Sequence, residues 1–179
     1  MKYFNITVSG KICTGKSTLR NLLYKKLNWQ TYSTGEIFRE YVKNNRLNLE
    51  QADEQNEKLA KKIDNQVRIL LKTKKYLIVD SWMAGIMAKN LPGILKVLLI
   101  CKDEIRYKRF ANREKVSYDE AKEKVNERYD NWVNKLEKIY NRNDFMDKKH
   151  FDIVIDTAYI TPQAVMKKVM IELEDSRCG

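Results

Sequence analysis

Gly10-Lys11-Ile12-Cys13-Thr14-Gly15-Lys16-Ser17 is a run whose residue types and spacing suit the cradling of phosphates. It fits G-x-x-x-x-G-K-[ST] without a gap. Gly10 and Gly15 let the backbone curl so that successive N–H groups converge on an anion. Lys16 sets a cation against the outer phosphates of a polyphosphate, and Ser17 offers a hydroxyl to Mg²⁺. Thr18 follows in what must be the first turn of a helix, where free N–H groups and the helix dipole favour bound anions. A chance match in a glycine-bearing turn is the alternative. The context argues for function, because a β-branched run precedes the motif and a helical run follows it. The expected ligand is ATP with Mg²⁺.

Two further sets of residues could serve the same chemistry. Asp80 closes the apolar run Tyr76–Asp80. An acid there could orient Mg²⁺ or its waters, contact an acceptor, or simply cap the strand. Arg106, Arg109 and Arg113 recur at i, i+3 and i+7, on one face of a helix. Guanidiniums suit a phosphoryl group in transfer because its charge spreads over several oxygens. A solvated face paired with Asp103, Glu104 and Glu114 is the alternative.

These residues need a scaffold that brings loop, acid and arginines together. Apolar, β-branched runs alternate with longer helical stretches, which predicts an α/β fold around a parallel sheet. Five strands are expected, at Tyr3–Ser9, Gln30–Ser33, Tyr76–Asp80, Leu95–Cys101 and Phe151–Asp156. The continuous hydrophobicity of the third and fourth implies burial on both faces. The helix after the loop, about Lys16–Lys26, carries Leu19, Leu22, Leu23 and Leu27 at helical spacing. Helices should dominate from Gly35 to Lys72, the second capped by Asn48. Charged helices are expected over Lys102–Tyr140, and the last helix opens with Pro162.

The 179 residues predict a single domain, with a helical acceptor-binding insertion at about 34–72 and a lid at about 103–131. No apolar run is long enough for a membrane helix, and MKYFNITVSG does not read as a signal peptide. Cys13, Cys101 and Cys178 are widely spaced, which fits reduced thiols and a cytoplasmic protein. The net charge of +11 admits nucleic acid as a partner, but equally suits lysine-rich solvated helices and the recruitment of nucleotides. No interface signal stands out, so a monomer is expected.

Five segments across about residues 4–157 resemble the archaeal-type cytidylate kinases, within the P-loop nucleoside monophosphate kinases. Ile6–Leu19 resembles the family's opening strand and phosphate loop. Ser33-Thr34-Gly35-Glu36-Ile37-Phe38-Arg39 is similar to its S-x-G-[DE]-I-F-R, where Arg39 would bind the acceptor's phosphate. Ile63-Asp64 matches an I-D near the acceptor. Ile78–Gly85 resembles V-L-E-G-R-L-A-G, with Asp80 keeping the acid but Trp82 standing where the family has arginine. Arg106–Glu114, Ser117–Ala121 and Glu127-Arg128 resemble the mobile lid, whose arginines close over phosphates. The resemblance implies a three-layer P-loop fold, with a five-stranded parallel sheet and helical acceptor and lid segments. It implies γ-phosphoryl transfer from ATP to CMP or dCMP, with Arg128 added to the lid set and Gly35, Arg39, Asp64, Asp80 and Trp82 at the acceptor.

A nucleotide acceptor's phosphate is already ionised, so no general base is needed and the lone His150 is expected to be structural. Another acceptor, a nucleotide-dependent RNA-binding module and a non-catalytic nucleotide sensor stay open as alternatives. Cys13, between lysines near a helix start, sits where a thiol's pKa is expected to be lowered; a tolerated loop residue suits it better than redox control of ATP binding. Tyr129, Trp132, Leu136 and Tyr140 form a stripe that suits packing better than base stacking. Trp82 could stack on an acceptor ring or fill the space an arginine left.

Overall fold

The computed structural model describes residues 2–45 and 57–175. Asn48, the expected helix cap, and Cys178 lie outside them. One parallel sheet of five strands runs in the order β2-β3-β1-β4-β5, from β1 (Asn5–Gly10), β2 (Gln30–Ser33), β3 (Leu77–Asp80), β4 (Ile94–Ile100) and β5 (Ile153–Asp156). Every residue of β1 and of β3 is buried, as central parallel strands sandwiched between helices require. Tyr76 was expected to open the third strand. Its φ of 61° places it in the left-handed region, so the strand begins at Leu77.

Helices cover both faces. Leu19 and Leu23 of α1 (Lys16–Leu27) join Val165, Val169 and Leu173 of α7 (Pro162–Asp175) in one core with Ile6, Val8 and Leu99 of the sheet. On the other face, Val67 and Leu71 of α3 (Glu57–Thr73) pack with Ala84 of α4 (Ala84–Met87) against Leu77 and Val79. Asn5 is fully buried inside β1, yet its side chain donates to the carbonyls of Lys74 (2.8 Å) and Leu71 (3.3 Å) and accepts from Leu77 N (3.0 Å). Its hydrogen-bonding groups are thereby used to tie the end of α3 to two strands.

The α2 helix (Thr34–Asn45) follows β2 directly. The charged region forms α5 (Asp103–Glu114) and α6 (Tyr118–Tyr140), which runs on well past residue 131. Ser117 caps α6 by accepting from Glu120 N at 3.2 Å. The aromatic stripe of α6 packs as expected: Trp132, Leu136 and Tyr140 meet Met83, Ile86 and Phe145. Among the described residues, no helix is long and apolar enough to cross a membrane.

Candidate active site

The loop between β1 and α1 curls because its backbone adopts three left-handed or related conformations, at Gly10 (φ 149°), Cys13 (φ 61°) and Gly15 (φ 96°). Gly10 has a second constraint. A Cβ there would lie 2.4 Å from the Leu99 carbonyl oxygen and 2.7 Å from Thr14 Oγ1, so any side chain would push β4 and the loop apart. Lys16 folds back over the curl, and its Nζ donates to the carbonyls of Gly10 (2.8 Å) and Lys11 (3.0 Å). Burial pushes its pKa down to about 8, against the pull of Asp80.

The loop is gripped from behind through its carbonyls. Ile12 O accepts from Arg106 Nε (2.8 Å), Cys13 O from Arg109 Nη1 (3.3 Å), and Thr14 O from Thr157 Oγ1 (2.9 Å). The three arginines expected on one face therefore divide. Arg106 is 1% exposed, pairs with Asp103 and supports the loop. Arg109 is anchored by Thr157, donating to its carbonyl at 2.6 Å and to its Oγ1 at 3.1 Å. Arg113 is half exposed and held by Glu114 at 2.7 Å. Burial falls along the helix from Arg106 to Arg113, so residues at i and i+7 on one face do not share one environment.

A cavity of about 440 Å³ opens in front of the loop. Lys16, Ser17 and Thr18 line one end, together with Ile12, Cys13 and Gly15. Asp80, Trp82, Arg109, Arg113 and Arg128 line it as well, and Gly35, Arg39 and Asp64 complete the expected acceptor set. The structure thus brings together residues drawn from positions 12 to 128. Lys11 lies aside from this wall, with its Nζ 4.2 Å from the Tyr129 ring centroid.

Asp80 is 4% exposed at the end of β3, paired in register with Val8 of β1 and Ser33 of β2. Ser17 Oγ donates to its Oδ2 at 3.0 Å. A hydroxyl and a carboxylate side by side at the phosphate loop are the hard oxygen donors that Mg²⁺ prefers, so these residues fit the ion. Trp82 stacks at a tilt on Trp132 (centroids 3.9 Å apart), and Lys16 Nζ lies 5.7 Å from its ring. It fills the wall of the cavity and extends an aromatic surface from α6 towards the loop.

Asp64 is 7% exposed, and burial pushes its pKa up to about 6; Tyr140, donating to Oδ2 at 2.8 Å, and Lys135 work against that rise. Cys13 departs from expectation. Burial of the thiol raises its pKa and outweighs the nearby cations Arg113, Lys16 and Arg106, so the loop does not activate it. His150 contacts Asp144 at 2.7 Å and Arg142 at 3.3 Å in the segment after α6, away from the cavity wall.

Some contributors escaped the sequence reading, Trp132 of the cavity wall among them. Thr157 has no motif around it, although its place just past an acid-ending strand is a weak signal. Phe38 and Lys135, both on the cavity wall, look like ordinary members of amphipathic helices.

Known proteins add the following. A family model described as an AAA domain matches residues 6–130. A cytidylate kinase of Sulfurisphaera tokodaii is 32% identical over 165 residues, covering 90% of this chain and 91% of that protein. The chain belongs to the cytidylate kinase family. A cytidylate kinase of Methanosarcina barkeri is 35% identical over 156 residues (85% and 86% of the two chains), and that of Haloarcula marismortui 31% over 172 (94% and 88%). Among solved structures, an uncharacterized protein from Eubacterium ventriosum superposes with TM-score 0.72 at 14% identity, covering 96% and 98% of the two chains. Shikimate kinase from Acinetobacter baumannii, in complex with shikimate, gives 0.60 at 13% identity, covering 99% and 96%. These structures share the P-loop kinase fold. As a member of the cytidylate kinase family, the chain is an ATP-dependent phosphotransferase of the nucleoside monophosphate kinase kind.

Proposed function

We propose that this chain transfers the γ-phosphoryl group of Mg·ATP to CMP or dCMP, acting as a cytoplasmic monomer. The observation that carries this reading is the single cavity that runs from Lys16 and Ser17 to Gly35, Arg39 and Asp64. Donor and acceptor elements share one wall, in a chain about a third identical to cytidylate kinases over most of its length.

The loop from Gly10 to Thr18 holds the ATP phosphates. Lys16 places its ammonium on the oxygens where charge builds up. Ser17 and Asp80 would hold Mg²⁺, which would supply charge neutralisation at the phosphates. Arg39 holds the acceptor's phosphate. One of that phosphate's oxygens, ionised near neutral pH, forms the new P–O bond as the bond to ADP breaks, so no side chain has to remove a proton. Arg113 and Arg128 face the cavity from α5 and α6 and stabilise the charge spread over the group in transfer. Trp82 and Trp132 give the site an apolar wall that limits access of water, the competing acceptor.

A second reading, a hydroxylated small molecule as acceptor, draws on Trp82. A tryptophan supplies none of the donors that an arginine would offer to an acceptor phosphate. Buried Asp80 would then serve as the general base.

The deciding experiment measures ADP formation from Mg·ATP against CMP, dCMP, UMP, AMP, GMP and nucleosides, with Lys16→Ala as control. Strong stimulation by CMP or dCMP, lost in Lys16→Ala, is the expected result. Stimulation by nucleosides alone would replace this reading with the second.

A further inference from the structure

Two buried opposite charges face the cavity at a distance in sequence from the phosphate loop. Asp64 of α3 is 7% exposed and Lys135 of α6 is 6% exposed, and both line the wall. Lys135 lowers the pKa of Asp64 through its charge, and its Nζ lies 5.3 Å from the ring centroid of Phe38. Tyr140, a little more than one turn further along α6, fixes the carboxylate by donating to Oδ2 at 2.8 Å.

Burying two opposite charges is a poor route to stability, since apolar residues of like volume serve as well or better. A charged pair on the wall of a binding cavity has another use. A carboxylate only accepts hydrogen bonds and an ammonium only donates them. Together they match a ring edge that offers an amine beside a ring nitrogen or carbonyl. Cytosine has that edge, with its exocyclic amine next to N3 and O2. Uracil turns a carbonyl to the same corner and would set an acceptor against the carboxylate.

We infer that Asp64 and Lys135 are the specificity-determining pair for the acceptor's base, Asp64 accepting from the exocyclic amine and Lys135 donating to the ring's acceptor edge. Tyr140 is a positioning residue that orients Asp64, and Phe38 flanks the ammonium. This rests on the nucleotide-acceptor reading of the same cavity. The pair spans α3 and α6, and α6 also carries Arg128. The helix that reads the base is therefore one of those that bring a cation to the phosphoryl group.

The test compares kcat/KM for CMP and UMP in the wild type, Asp64→Asn and Lys135→Met, with KM for ATP measured alongside. Asp64→Asn is expected to lower the CMP-to-UMP ratio at least about tenfold, because its amide can donate to a carbonyl. Lys135→Met is expected to raise KM for CMP about tenfold and to leave KM for ATP within about twofold, with partial recovery in Lys135→Arg. A CMP analogue with hydrogen in place of the exocyclic amine tests the wild type directly. Its KM should be at least about tenfold above that of CMP, whether or not the variants fold. An analogue as good as CMP, or a ratio unchanged in Asp64→Asn with ATP binding intact, overturns the pair alone. A wild type that phosphorylates neither CMP nor UMP overturns the cavity's assignment, and the pair with it.

Discussion

Ser17 Oγ and Asp80 Oδ2 lie 3.0 Å apart, joining the first turn of α1 to the end of β3. They are 63 residues apart in sequence and meet because β1 and β3 are parallel neighbours, with Val8 and Asp80 in register. Asp80 is 4% exposed, so its charge acts in a poorly solvated place. Asp80→Asn keeps the shape and removes the charge. The variant should lose about 10²-fold or more in kcat and need a higher free Mg²⁺ concentration for half-maximal rate. Rates measured across a Mg²⁺ series check this; an unchanged Mg²⁺ dependence would remove Asp80 from the metal site.

Arg106 and Arg113 should separate support from chemistry. Arg106→Ala removes the buried donor to the Ile12 carbonyl, and losing such a charged hydrogen bond costs about 1.5–3 kcal/mol. In a chain of this size that lowers Tm by roughly 3–12 °C. Arg113→Ala removes an exposed pair with Glu114 and a guanidinium contact with the Phe110 ring, and should shift Tm much less than Arg106→Ala. Its kcat should nevertheless fall about tenfold or more, since Arg113 faces the cavity. Thermal melts beside steady-state kinetics give both readouts. A large Tm loss in Arg113→Ala with an unchanged rate would reverse the assignment.

Lys16 makes ATP binding sensitive to pH. Burial holds it at about 8, below its ordinary 10.5, so the free protein loses this charge as pH rises through 8. A bound polyphosphate stabilises the charged form and draws the proton back. ATP binding at pH 8.5 should therefore take up protons, and affinity should fall as pH climbs above 8. Calorimetry in two buffers of different ionisation enthalpy measures the uptake, and Lys16→Met should abolish it. Zero uptake at pH 8.5 in the wild type would show that Lys16 stays charged without ligand.

The phosphate loop could be read from the chain because its chemistry is local. Eight adjacent residues supply the turns, the cation and the hydroxyl, and the flanking strand and helix have their own periodicity. The third and fourth strands were equally legible, since parallel strands buried on both faces read as near-continuous apolar runs. The environment of each side chain could not be read, because burial depends on what packs from elsewhere in the chain. Cys13 looked activated by its neighbouring cations until burial outweighed them. Arg106, Arg109 and Arg113 looked equivalent at helical spacing until packing against Ile12 and Thr157 gave each a different surrounding. Asp64, Lys135 and Tyr140 lie up to 76 residues apart, and only the approach of α6 to α3 makes them one site. Local sequence determined the loop and its strand and helix; the tertiary structure decided which charges are buried, which are paired and which face the cavity.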